Sequence, residues 1–239
     1  MSMLAVVLVG AAVLLTPSRS DRALSYLEDG DPETALSMAL AALELEPGNE
    51  RAARIVADIQ THMGLMDEAE LTLRQRIEIH GRTPSALQDL ARHYHATGQR
   101  QKAVELYLVL PPAALSSDEK SYIARWLRQT GDVDGELAFV ARLWSDGENE
   151  EAFGRRYAEL LAVRGQTNEA LSVFRALDEN GALRSSTSRM QFLAVLLLSG
   201  DKEEAVERAS DWLSEPEQQE LASAILQFDK SLVLEAQFD

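Results

Sequence analysis

Apolar and small side chains recur along this chain at helical spacing, in blocks that a glycine divides at a nearly constant interval. From Gly30 to Asn49 it reads GDPETALSMALAALELEPGN: a turn glycine, a small alanine five residues on, then apolar positions at helical spacing and a Leu-Glu-Pro-Gly-Asn ending. The punctuation returns at Gly64 with Ala69 and at Gly98 with Ala103, then at Gly131, at Gly165 with Ala170, and at Gly200 with Ala205. A fixed period of this size is the mark of stacked supersecondary units, each of which buries its apolar face only against its neighbours. Every block predicts one helix (A) ahead of the glycine and a second (B) after it. Seven residues before the glycine stands a small residue: Ala23, Ala57, Ala91, Ala124 and Ala158. Four before it the side chain is usually large: Tyr26, Tyr94, Leu127, Leu161 and Leu196. Small against large is how packed layers interdigitate. Helix B has its own stripe, as in Ala170, Phe174 and Leu177 at i, i+4 and i+7.

Start and stop signals fall in register with this pattern. Asp31-Pro32 and Thr83-Pro84 each place an N-cap before an N1 proline. Ser116–Glu119 and Asp201–Glu204 have the spacing of capping boxes. Pro47-Gly48-Asn49 and Pro111-Pro112 end helices. The predicted units are 16–49, 50–83, 84–117, 117–150, 151–185 and 186–220. Two depart from the pattern: unit four has Glu136 at the small helix B position, and unit six has Leu193 at the small helix A position, which predicts a local shift or looser packing there.

The spacing of Ala57, Gly64 and Ala69, with the ending Ala42-Leu43-Glu44-Leu45-Glu46-Pro47-Gly48-Asn49, closely resembles the tetratricopeptide repeat. The resemblance covers nearly all of 16–215 and implies an all-α fold, a right-handed α-solenoid of about six helix-turn-helix repeats. Helix A residues would then line a concave, ligand-receiving groove. The expected domains are an apolar N-terminal segment (1–16), the solenoid (17–214), and a capping helix with tail (215–239). In that last stretch Leu221, Ile225 and Phe228 form an apolar stripe behind a Ser214–Glu217 capping box, while Leu232, Val233, Leu234 and Phe238 offer a second reading, docking on a partner or a dimer. A solenoid end needs a cap with a polar outer face.

Met3 to Leu15 is apolar and uncharged. As a helix it covers roughly 20 Å of the ~30 Å hydrocarbon core. A membrane anchor is expected; a cleaved signal peptide, a misassigned start, the second helix of a membrane hairpin and a buried first helix are the alternatives. Arg19 and Arg22 follow the apolar run, and the positive-inside bias would keep the repeats on the cytoplasmic side of a bacterial inner membrane, the periplasm being the other placement. The formal net charge is −16, which argues against a nucleic-acid partner. With no cysteine, a disulfide framework and a thiolate metal site are excluded.

The sequence offers no catalytic constellation. The four histidines, His62, His80, His93 and His95, lack any HExxH or Cys/His context, and no Gly-rich phosphate loop is present. No enzyme, cofactor or metal is expected. Trp126, Trp144 and Trp212 fall on or near packing positions. More informative is the helix A face beside the packing stripe. It bears Arg51 and Arg54 in unit two; Gln88, Arg92 and His95 in unit three; Arg125 and Arg128 in unit four; and Arg155 in unit five. Unit six presents Met190, Ala194 and Leu197 there, an apolar end. An acidic chain thus gathers arginine on one inferred surface, which suits an acidic or C-terminal-carboxylate peptide. The competing reading pairs these arginines with neighbouring carboxylates on an ordinary solvated face. The dicarboxylate clamp of chaperone-binding tetratricopeptide domains is missing, since unit one has Ser20 and Leu24 at its Lys and Asn positions. The expected role is a membrane-tethered scaffold for protein partners in a bacterial envelope, secretion or polysaccharide-export complex. By its architecture the chain resembles Pel-type accessory proteins of exopolysaccharide export. A secreted or periplasmic co-chaperone or polymer binder, and a self-assembling homo-oligomer, are the alternatives.

Overall fold

The computed structural model describes residues 18–147 and 150–213. Within them the chain forms twelve α-helices and one short 3-10 turn, and no strand. In chain order they are α1 (Arg19–Glu28), α2 (Pro32–Leu45), α3 (Glu50–His62), α4 (Met66–His80), α5 (Pro84–Ala96), α6 (Arg100–Leu108), α7 (Ser117–Thr130), α8 (Val133–Ser145), α9 (Glu151–Val163), α10 (Thr167–Glu179), α11 (Ser186–Ser199) and α12 (Lys202–Leu213). Odd-numbered helices are the A helices and even-numbered ones the B helices. This is the all-α, helix-turn-helix architecture of the α-solenoid class.

The recurring glycine has one physical cause in all six repeats. Each closes its A helix with a left-handed residue, as at Gly64 (φ 80°) and Gly131 (φ 72°), a conformation open to glycine at little cost. The next amide then donates back to the carbonyl five residues earlier: Leu65 N to Gln60 O at 2.8 Å, Asp132 N to Leu127 O at 3.0 Å. That carbonyl belongs to the large-residue position of the repeat, so one turn fixes both the end of helix A and the side chain that fills the gap beside it.

Of the two compact units, 1–119 and 120–239, the first holds the hairpins α1–α2, α3–α4 and α5–α6. Ala23, Ala35 and Ala39 lie buried against Ile55, Val56 and Ile59. Gln60 takes a large-residue position here; it is buried, and its Oε1 accepts from Thr72 Oγ1 at 2.9 Å, so the polar substitution is satisfied. Tyr26 is the exception to the packing pattern, 40% exposed. Asp31 and Thr83 cap α2 and α5 as expected, and Ser116 and Glu119 form the reciprocal box at the start of α7.

In the second unit Phe174 and Phe192 stack at 5.3 Å within a core that includes Leu161, Leu177, Leu196 and Trp212. Trp144 is half-buried against this core, and Trp126 is half-buried as well. At Leu193 α11 is continuous and the leucine is buried in the core. Glu204 does not close a box with Asp201; its carboxylate accepts from Arg175 instead, Nη2 to Oε2 at 2.6 Å.

The expected membrane localisation is corrected. Among the described residues no helix is long and apolar enough to cross a membrane. The N-terminal segment 1–16 that motivated it, and the capping helix and tail expected over 215–239, lie outside the described residues.

Candidate functional site

The helix A face carries a pocket in each unit. In the first, Arg54, Asp58 and Thr61 of α3 face Asp89, Arg92 and His93 of α5 across a cavity of about 400 Å³ floored by Ala57, Leu73 and Ala96. Its charges are largely spent within the fold. Arg76 is buried to 2% exposure and reaches Asp89, Glu50 (3.0 Å) and the Ser85 hydroxyl (2.9 Å). Arg92 donates from Nε to Glu119 at 2.8 Å, and Gln88 Nε2 donates to the same carboxylate at 2.8 Å and to the Ala114 carbonyl at 2.7 Å. Burial pushes the Glu119 carboxyl up, but the Ser116 amide, Arg92 and Gln88 together hold it below the usual carboxylate range. Asp58 goes the other way: burial and the neighbouring Asp89 raise it. Arg51 sits outside the pocket, ion-paired with Asp21.

The second pocket repeats the first one two repeats later, with a different charge. Arg125 occupies the position of Asp58 relative to its glycine, and Arg156 that of Asp89. Ser121, Ala124, Arg125 and Arg128 of α7, Val140 of α8, and Ala152, Phe153, Arg155 and Arg156 of α9 enclose about 230 Å³. Glu136 lies at its base, 1% exposed, in the position where other repeats bury Ala35, Ala69, Ala103, Ala170 or Ala205. Arg128 donates to its Oε1 from Nε (3.1 Å) and Nη2 (2.9 Å). Arg156 grips both oxygens, Nε to Oε1 at 2.9 Å and Nη2 to Oε2 at 2.7 Å. Burial alone would raise the Glu136 carboxyl; the hydrogen bonds from Arg156 and Arg128 outweigh it and hold the group below the usual carboxylate range. Those bonds in turn raise Arg156 above the ordinary guanidinium value. Glu159 pairs with Arg155 and with Arg156 Nη1 (3.1 Å), and Gln191 donates to it. Arg125 is exposed and forms no ion pair among the described residues. Four guanidinium groups set against two carboxylates leave an excess of two positive charges in a chain of net charge −16.

A family model described as tetratricopeptide repeat matches residues 86–110, which span most of α5, its turn and α6. Two solved structures share the fold. One, "Structure of Naa15/Naa10 bound to HypK-THB", has 16% identity and a TM-score of 0.57 over 80% of this chain; the match spans 30% of that chain's length. The other, "Crystal structure of YrrB: a TPR protein with an unusual peptide-binding site", has 16% identity and a TM-score of 0.52, covering 79% of this chain and 97% of that one. The α5–α6 hairpin thus matches the tetratricopeptide repeat, and the chain shares the tetratricopeptide fold. Tetratricopeptide proteins are typically non-catalytic scaffolds for protein–protein interaction. No curated protein matches the chain. The exopolysaccharide-export likeness gains no support from these comparisons.

Of the eight arginine-stripe residues named from sequence, Arg125, Arg128 and Arg155 come together in one tetratricopeptide pocket, and Arg54 and Arg92 in another. Gln88 anchors Glu119, Arg51 lines neither pocket and pairs with Asp21, and His95 is exposed near the end of α5. Arg156 was missed, although Glu136 at a small-residue position was a signal that a cation had to be near. Among the described residues no group of His, Asp and Glu is arranged to hold a metal ion.

Proposed function

We propose that this chain is a non-catalytic scaffold that holds an acidic segment of a protein partner against the α7/α9 pocket of its second unit. The observation that carries the reading is the local charge excess: four arginines converge on a pocket with two carboxylates, and Arg125 stands exposed with no ion pair among the described residues. Guanidinium groups recognise carboxylates through forked, charge-assisted hydrogen bonds. The first unit offers less, because its arginines are interleaved with Asp58 and Asp89 and Arg92 is committed to Glu119. YrrB, which shares the fold, is described as having an unusual peptide-binding site, and a peptide is the class of ligand proposed here.

The test is calorimetric titration of a short Asp/Glu-rich peptide and its Asn/Gln counterpart at low and high salt. Saturable binding of the acidic peptide alone, weakening as salt screens the charges, is the expected result. Equal affinity for the neutral peptide, or none for either, refutes the reading.

A further inference from the structure

We infer that Glu136 is a positioning residue for the α7/α9 pocket: it fixes the guanidinium groups of Arg128 and Arg156 in the orientation that an acidic segment meets. The inference rests on the reading of that pocket given above. Its starting point is an anomaly of the repeat. At the position where five of the six repeats bury an alanine, unit four buries a carboxylate at 1% exposure. Taking a carboxylate and its partners out of water is costly, and replacing a buried ion pair with apolar side chains is often neutral or stabilising. Stability therefore gives no reason to keep a glutamate where alanine is the cheaper solution.

What the glutamate does supply is geometry. Both carboxylate oxygens are occupied, by four guanidinium N–H groups at 2.7–3.1 Å. Arg128 arrives from α7 and Arg156 from α9, so the carboxylate ties together the two A helices that wall the pocket. Each arginine spends one edge on Glu136. Arg128 remains 56% exposed, so its free face is offered to solvent and to any ligand, and Arg156 uses Nη1 on Glu159. Long side chains lose rotamer freedom when a ligand immobilises them; holding them beforehand removes that cost from binding. Charge alone makes the opposite demand. Deleting Glu136 adds one unit of positive charge to the pocket and would tighten an acidic ligand if electrostatics ruled.

The two effects have opposite signs, and this makes the experiment decisive. Glu136→Ala restores the residue of the other repeats, and Glu136→Gln keeps the volume while removing the charge; circular dichroism verifies the helices of both. Titration with the same Asp/Glu-rich peptide is expected to show binding weakened about tenfold to a hundredfold in Glu136→Ala, from the freedom regained by two arginines. The loss in Glu136→Gln should be smaller. In parallel, the side-chain Nε–Hε resonances of Arg128 and Arg156 should be dispersed in the wild-type protein and collapse toward the free-arginine position in Glu136→Ala. Unchanged or tighter peptide binding by both variants overturns the positioning role while leaving the acidic-segment reading intact. Free-arginine resonances already present in the wild type also overturn it. Absence of saturable binding by the wild type overturns both.

Discussion

Gly154 is the position where the packing of the second unit can be tested most sharply. It lies inside α9, where glycine is a poor helix former, and replacing it with alanine should on propensity alone gain about 1 kcal/mol. The surroundings oppose this gain. A Cβ at this site would lie 2.9 Å from one Leu177 Cδ, 3.0 Å from the other, and 3.0 Å from Trp144 Cζ3. Carbon atoms rest at about 3.5–4.0 Å, so the neighbours would have to yield by more than half an ångström. Leu177 is fully buried among Phe174, Phe192 and Leu161 and has nowhere to go. Forcing a methyl into such a site typically costs about 1–3 kcal/mol. The balance for Gly154→Ala is a net loss of about 1 kcal/mol, or a fall in Tm of about 2–4 °C for a chain of this size. Urea denaturation followed by Trp fluorescence, to which Trp144 contributes at the contact itself, measures it. The same substitution should cost less in a Leu177→Ala background, because the two Leu177 methyls are gone and only the Trp144 Cζ3 contact still opposes the propensity gain. A higher midpoint for Gly154→Ala in the wild-type background would refute the packing argument.

Two further substitutions probe different physics. Gly131→Ala meets nothing within 4 Å, so its cost should come from the left-handed backbone alone, about 1–2 kcal/mol in the same denaturation assay, with no neighbour substitution able to recover it. His93 is buried, both its ring nitrogens lack hydrogen-bond partners among the described residues, and burial lowers its pKa against the opposing pull of Glu70 and Asp67. Its folded pKa lies below the unfolded value of 6.5, so the unfolded chain binds more protons in between. The contribution of His93 is then complete above 6.5 and declines as pH falls toward the folded pKa; His93→Phe should flatten that slope in urea midpoints measured across this range.

The repeat pattern was legible because its causes are local. A glycine closing each A helix, a proline or an Asp/Ser/Thr opening many helices, and alternating small and large side chains are all written within a few residues of one another. The same local period puts Arg125, Arg128 and Arg155 on one helix A face, and in the structure they line one pocket. The ion pairing of the stripe was not legible, since carboxylates that partner its arginines come from other helices: Asp21 for Arg51, Glu119 for Arg92, Glu136 for Arg128. Arg51, Arg92 and Arg155 are largely satisfied by neighbours, as an ordinary solvated face would have it, whereas the α7/α9 pocket keeps a surplus. Arg156 escaped notice because it sits one residue off the stripe. It lines the pocket and grips a buried carboxylate 20 residues earlier.

The measurement that bears most directly on the account is charge reversal at the pocket with matched peptides. Fluorescence anisotropy would compare wild-type protein and Arg125→Glu/Arg155→Glu, each titrated with a labelled Asp/Glu-rich peptide and with its Lys-rich counterpart. The account expects the wild type to bind only the acidic peptide, the variant to lose it, and Arg51→Glu, which is not among the residues lining the pocket, to bind as the wild type does. Retention of the acidic peptide by the doubly reversed variant, at wild-type affinity, would contradict it.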